Sequence, residues 1–258
     1  MIRGLYTSAS GMLSESIRTD VISNNIANVN TTGFKKELTI LKAAPEMRIH
    51  RLNDTRDLPP LRIDLKPFIG NLGTGVRVDE TFTSFEQGQI VHTGNKHHLA
   101  LMGDGFFAVM DGEGNIDYTR DGSFTVNRDG FLVTKEGRYV LGQQGPVQIP
   151  EGDLVITERG EIRVNGQLID TVAVVDFPEK TALEKIGDNL FRQNEASGEP
   201  FLVQSQVIQE SLERSNVNSV TEMVNLITAM RAYEANQRSI HAHDETLGKA
   251  VNDVGRLG

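Results

Sequence analysis

The chain has no cysteine and no tryptophan among its 258 residues. Without cysteine there can be no disulfide, no thiolate metal site and no cysteine nucleophile. The compartment stays open, because a cysteine-free chain is at home on either side of a membrane. Long apolar runs are also missing: no stretch approaches the roughly 20 residues that cross a bilayer as a helix. Arg3 could open a secretory signal, but Ser8, Ser10, Ser14 and Glu15 interrupt the apolar positions after it, so a cleavable signal is not expected. Work outside the cytoplasm would then require a specialised export machine. Positive charge is short as well, with 26 Lys and Arg against 35 Asp and Glu for a net charge of -9, and no basic cluster. That balance disfavours nucleic acid as a partner, since phosphate binding needs a basic face. What is present, 38% apolar and 24% charged residues, is ordinary for a folded globular chain.

The rhythm of the residues divides the chain into segments 1–34, 35–71, 72–205 and 206–258. In the first, Ile2, Leu5, Tyr6, Ala9, Met12, Leu13, Ile17 and Val21 recur at three- and four-residue steps, which predicts one apolar side of a helix. Its end is unusual. The stretch SNNIANVNTTGFKK, Ser23 to Lys36, holds asparagines at 24, 25, 28 and 30, and Gly33 can supply the left-handed conformation that closes a helix. Further on, NDTRDLPPLRIDLKPFIGNLGTG contains three prolines and little periodicity, so residues 35–71 are expected to be an irregular connector with one short strand.

From residue 72 the period becomes two. In RDGSFTVNRDGFLVTKEGRYVLG, Phe124 and Val126, Phe131 and Val133, then Tyr139 and Leu141 alternate with Asp-Gly or Glu-Gly between the runs, which predicts successive hairpins in an all-β domain. The last segment predicts a long helix. Ser219 and Glu222 have the spacing of a capping box. Met223, Leu226, Met230, Tyr233, Gln237, Ile240, Asp244, Leu247, Val251 and Val254 then step by three and four, all but Gln237 and Asp244 apolar. A helix from Ser219 to Val254 would be roughly 50 Å long, and a narrow stripe over that length predicts a coiled-coil seam. The expected fold is α+β and mainly β: a hairpin-rich central domain, with long terminal helices forming a coiled-coil-like layer.

Catalytic motifs are sparse. DGEGNIDYTRDG lacks the ligand spacing of an EF-hand loop, and hairpin turns account for its Asp-Gly pairs. His97 and His98 are adjacent, so a strand would send them to opposite faces, and His241 and His243 do not share a helical face. There is no Gly-x-Ser-x-Gly, His-Glu-x-x-His or phosphate-binding loop. No catalytic, cofactor-binding or metal residue is assigned, and no enzyme is expected. The C-terminal stripe is longer than the N-terminal helix can cover, so its excess apolar surface calls for other subunits. A head-to-tail contact repeated without closure builds a filament.

The stretch NNIANVNTTGFKK resembles the N-terminal signature of the axial proteins of the bacterial flagellum, the rod, hook and hook-associated proteins. The resemblance continues through GTGVRV, FEQGQIVHTGN, GDGFFAV, YTRDGSFTVNRDGFLVTKEGRYVLG, LEKIGDNLF and SNVNSVTEMVNLITAMRAYEANQRSI, in family order over nearly the whole chain. The length favours a rod subunit over the hook protein. Distal rod members are the nearest likeness and proximal rod members the alternative.

The resemblance implies a structural subunit of the basal-body rod, self-assembling through its terminal helices into the axial drive shaft that links base to hook. It implies type III export, assembly beyond the cytoplasmic membrane, and no cofactor, small-molecule substrate or turnover. Implied partners are copies of the chain, other rod and hook proteins, the rings around the rod and the export apparatus. The subunit-packing residues it points to are Leu5, Tyr6, Leu13, Asn24, Asn25, Asn28, Met223, Leu226, Met230, Tyr233, Ile240 and Leu247. The asparagines would set register between subunits; the alternative is that they cap and solvate the helix end. Readings from other classes are a rod-associated peptidoglycan-cleaving enzyme and a calcium-stabilised surface adhesin. Two departures from the family pattern stand out: Lys96-His97-His98 where a Pro-Leu-Asp-like segment is usual, and Glu210 where glycine is usual. The connector from Ala43 to Asn71 is individual too, and in the family this region helps set filament stiffness.

Overall fold

The computed structural model describes residues 2–51, 55–58, 61–64 and 68–254. Among the described residues, two α-helices and 22 strands give a mainly β chain of the α+β class. The chain divides into two compact units. One combines Met1–Ser23, Leu38–Phe82 and Met223–Gly258; the other combines Asn24–Glu37 and Thr83–Glu222. No helix among the described residues is long and apolar enough to cross a membrane.

The first unit is built on two helices, α1 (Ile2–Ala27) and α2 (Ser219–Lys249), the second followed by a π-helical turn at Ala250–Val254. Several polar side chains of α1 are satisfied by the helix itself. Thr7, Thr19 and Ser23 each return their hydroxyl to the carbonyl four residues back, which satisfies the group without leaving the helix. The two helices run antiparallel. A Cβ on Gly4 would strike the ring of His243, one on Gly11 would strike the Asn236 amide, and Ser8 Oγ donates to Ser239 Oγ at 3.1 Å. The face of α2 turned to α1 therefore follows Asn225, Ala229, Ala232, Asn236, Ser239 and His243, a heptad of small and polar residues. The apolar heptad expected to form the seam lies one residue further round.

The same unit holds β1 (Glu37–Ala43), β2 (Met47–His50), β3 (Thr55–Leu58), β4 (Leu61–Asp64), β5 (Phe68–Leu72) and β6 (Val76–Thr83). β1 pairs with β6, β2 with β5 and β3 with β4. Residues 35–71, expected to be irregular, thus carry five strands. They were illegible because the outer strands find their partners far along the chain. The prolines at 59, 60 and 67 lie outside the described residues.

The second unit contains β7 (Ile90–His92), β8 (Leu99–Met102), β9 (Phe106–Met110), β10 (Ile116–Thr119), β11 (Thr125–Val126), β12 (Leu132–Val133) and β13 (Tyr139–Val140). It continues with β14 (Leu154–Ile156), β15 (Glu161–Val164), β16 (Gln167–Thr171), β17 (Val174–Asp176), β18 (Glu184–Gly187), β19 (Leu190–Arg192), β20 (Phe201–Leu202), β21 (Gln206–Gln209) and β22 (Ser211–Glu213). Its main sheet has the order β11-β12-β13-β9-β10-β19-β18, with β17 joining β9 to β20. Alternation along β9 explains its unbroken apolar sequence. Phe107 and Val109 enter one core with Phe124 and Leu132, while Phe106 and Ala108 enter a second with Tyr118, Phe177 and Phe191. A strand covered on both faces needs apolar residues at every position.

Candidate functional site

The residues expected to pack subunits lie on the two helices and in the turn after α1. Tyr6 and Leu13 are 68% and 66% exposed, and Leu5 is half-buried. On α2, Met223 and Met230 are about half-exposed at 52% and 50%; Tyr233 is also exposed, whereas Leu226, Ile240 and Leu247 are partly covered. The helices thus spend small and polar residues on each other and leave large apolar ones facing outward. A single chain with that distribution keeps a surface cost of roughly 25 cal/mol for each Å² left uncovered.

The cap of α2 differs from the expected one. Asn218 Oδ1 accepts from the backbone N–H of Val220 and of Thr221, both at 3.1 Å, so Asn218 is the N-cap and Ser219 the first helical residue. At the other end of the chain, α1 stops at Ala27, six residues before Gly33. Gly33 does adopt the left-handed conformation, with φ 66, and glycine is required there for a second reason: a Cβ would collide with the Arg120–Asp121 backbone.

The asparagines have separate roles. Asn25 is 1% exposed; its Nδ2 donates to Glu37 O at 2.8 Å and its Oδ1 accepts from Glu37 N at 2.9 Å. Both halves of its amide are therefore used as a strand partner would use them, within its own chain. Asn28 Nδ2 donates to Asn24 O at 2.9 Å, and Asn28 Oδ1 accepts from Thr31 at 3.2 Å, which closes the helix end. Asn24 is exposed.

Beneath this stretch lies a group that the sequence did not reveal. Lys35 Nζ donates to Glu213 Oε1 at 2.7 Å and to Glu86 O at 2.8 Å, and Gly88 N donates to the same Oε1 at 2.7 Å. Arg120 Nη1 stands 3.6 Å from Glu213 Oε2, and its guanidinium lies 5.4 Å from the centre of the Phe106 ring. The Lys35 and Glu213 side chains are each 1% exposed. Burial lowers the pKa of both Lys35 and Arg120, and the Glu213 charge pulls each back upward. One carboxylate thus serves two buried cations. Residues on either side extend the clasp: Gly33 N donates to Glu213 O at 2.8 Å, and Lys36 N donates to Asn216 Oδ1 at 2.8 Å. Asn216 Nδ2 donates onward to Ser84 O at 2.9 Å. The segment after α1 and the segment before α2 are therefore fastened to each other and to residues 84–88. Fully buried Lys and Glu are rare unless paired, and their separation in sequence hid the pairing.

The histidine and Asp-Gly motifs have local explanations. His98 Nδ1 lies 2.9 Å from Thr93 Oγ1 and its Nε2 lies 3.2 Å from Asn95 Nδ2. Asp111 Oδ1 accepts from Glu113 N and Asn115 N at 2.9 Å, an Asx turn that occupies the carboxylate. Among the described residues no three His, Asp or Glu side chains converge as metal ligands. Glu210 sits at φ 56, a left-handed conformation that suits the glycine usual there. Its carbonyl accepts from Thr93 N at 2.7 Å between β21 and β22.

Two long helices with exposed apolar residues, in a chain whose β unit holds a buried ion-pair cluster, suit a subunit that packs against others. The comparisons agree. Residues 5–35 match the family described as flagella basal body rod protein, residues 100–164 the flagellar hook protein FlgE/F/G D1 domain, and residues 208–253 the flagellar basal body rod FlgEFG protein C-terminal. The flagellar basal-body rod protein FlgG of Borreliella burgdorferi is 35% identical, with 98% of each chain aligned. FlgG of Agrobacterium fabrum is 35% identical over 95% of this chain and 96% of its own. The rod protein FlgF of Caulobacter vibrioides is 31% identical over 100% of both. The chain belongs to the flagellar basal-body rod protein family. It is a structural component of the basal body, and its work is in motility.

Proposed function

We propose that the chain is a distal rod subunit that polymerises through its terminal helices into the shaft between base and hook. The observation that carries this reading is the uncovered apolar face on both helices of a chain whose family builds the rod. Leu5, Tyr6 and Leu13 with Met223, Leu226, Met230, Tyr233, Ile240 and Leu247 form the packing layer between copies, coiled-coil-like in spacing. Asn24 and Asn28 lie at its margin, and Asn25 contributes by holding the turn after α1. The distal assignment is supported by the motif run and by FlgG relatives aligned end to end at 32 to 35% identity. Copies of the chain, adjoining rod and hook proteins and the surrounding rings are its partners, and export through the flagellar type III apparatus delivers it.

Met230→Glu tests the reading. The side chain is half-exposed in the single chain, so the free protein should melt as the wild type does. In an assembled layer the new charge is buried without a partner, which costs several kcal/mol per contact, so rods and swimming should be lost. Arg231→Glu, one step round the helix, is the milder control. Normal swimming by Met230→Glu cells, or a lower melting temperature of the free protein, would overturn the proposal.

A further inference from the structure

The helix-bearing unit carries two apolar features that do not overlap. One is a row on α2: Met223, Leu226, Ile227 and Met230, at i, i+3, i+4 and i+7, with Met223, Ile227 and Met230 exposed. That is the spacing by which a helix seats its anchors in a groove. The other is a groove of about 520 Å³ beside the start of α1, with Tyr6, Met47 and Leu72 as exposed apolar walls and Gly4, Gly73 and Thr74 among its lining. Gly4 is occupied by His243 of its own α2, but Gly73 has open space where a side chain would stand, so an incoming helix can come close to the backbone there. Ser239 and His243 of α2 also line this groove. The row therefore cannot enter the groove of its own chain: α2 is one continuous helix, and Ile227 lies about 18 Å from Ser239 along the axis at 1.5 Å per residue.

Resting on the rod reading above, we infer that the groove at Tyr6, Met47 and Leu72 receives the Met223–Met230 row of a second copy. A row at one end of α2 and a groove at the other make a head-to-tail contact. One such contact uses a row of one copy and a groove of the other and leaves the pair with one free row and one free groove, so copies that add in the same orientation propagate the contact. The pairing also accounts for two exposed apolar surfaces at once, each of which would otherwise remain in water.

The absence of cysteine gives a direct test. Cells carrying the chain with Met47→Cys and Ile227→Cys together should yield basal bodies that, after mild oxidation, show a ladder of linked chains on a non-reducing gel. Each single variant should stay monomeric. A dimer from Ile227→Cys alone would mean that like meets like, and would overturn the inference. So would a double variant that builds rods but forms no ladder; in both cases the rod reading survives. Absence of the wild-type chain from purified basal bodies would overturn both. If the cysteine pair itself halts rod growth, charges decide. Met47→Lys and Ile227→Glu should each abolish swimming, and their combination should restore it. A combination as immotile as either single variant would refute the pairing.

Discussion

Glu213→Gln is the sharpest probe of how the two terminal segments are held. The amide keeps the size of the side chain and can still accept from Gly88 N, but it removes the negative charge facing Lys35 and Arg120. Two buried cations then lose their principal counter-charge, with only the weaker influence of Asp104, and of Asp176 on Arg120, remaining. Breaking a buried pair by removing one partner costs about 3 to 5 kcal/mol, and the upper end applies because one carboxylate serves two cations. Lys35→Met should be milder, about 3 kcal/mol, since Glu213 keeps Gly88 N and the Arg120 charge. At roughly 2 to 4 °C per kcal/mol for a domain of this size, the melting temperature should fall by about 10 to 20 °C and 6 to 12 °C respectively. Calorimetry on the full-length protein reads both values. The reverse order, or a loss under about 1 kcal/mol in each, would refute the clasp as a source of stability. The pH dependence has a definite sign. Burial lowers the Lys35 pKa, so in the window between that value and the ordinary lysine value the unfolded chain binds more protons than the folded one. Stability therefore rises with pH there, and urea titrations should show the wild type gaining on Lys35→Met as pH climbs through that window.

Two further predictions concern single turns. Asn25→Ala removes both bonds to the Glu37 backbone and should cost about 2 kcal/mol in urea melts, because the side chain is buried and both of its groups are used. Glu210→Gly should raise stability by about 0.5 to 1 kcal/mol, since glycine relieves the left-handed strain at some cost in chain entropy; an unchanged or lower melting temperature would show that the glutamate side chain offsets its own strain.

The sequence by itself determined the class of the chain and the kind of each long element. Period-two alternation with Asp-Gly turns marked β11 to β13, whose partners are sequence neighbours. Three- and four-residue steps marked both helices, because a helix makes its hydrogen bonds within itself. The motifs also pointed to the flagellar axial family before any packing was known. What only the tertiary structure decided involves residues far apart in the chain. Strands β1 and β6 pair across the whole of the intervening segment, so nothing local in 35–71 announced them. The residues that α1 and α2 turn to each other were hidden for a similar reason: hydrophobicity identifies a face that wants cover, but not which small and polar residues meet within one chain. The intrachain contact went to Gly4, Ser8, Gly11, Asn236 and Ser239, where small side chains let the backbones approach, and the apolar stripe stayed outside. Asn25 read as a polar residue near a helix end, and only the return of Glu37 showed it acting as a strand partner. Lys35 and Glu213, 178 positions apart, gave no sign of each other; a buried ion pair exists only once the fold has brought both charges out of water together.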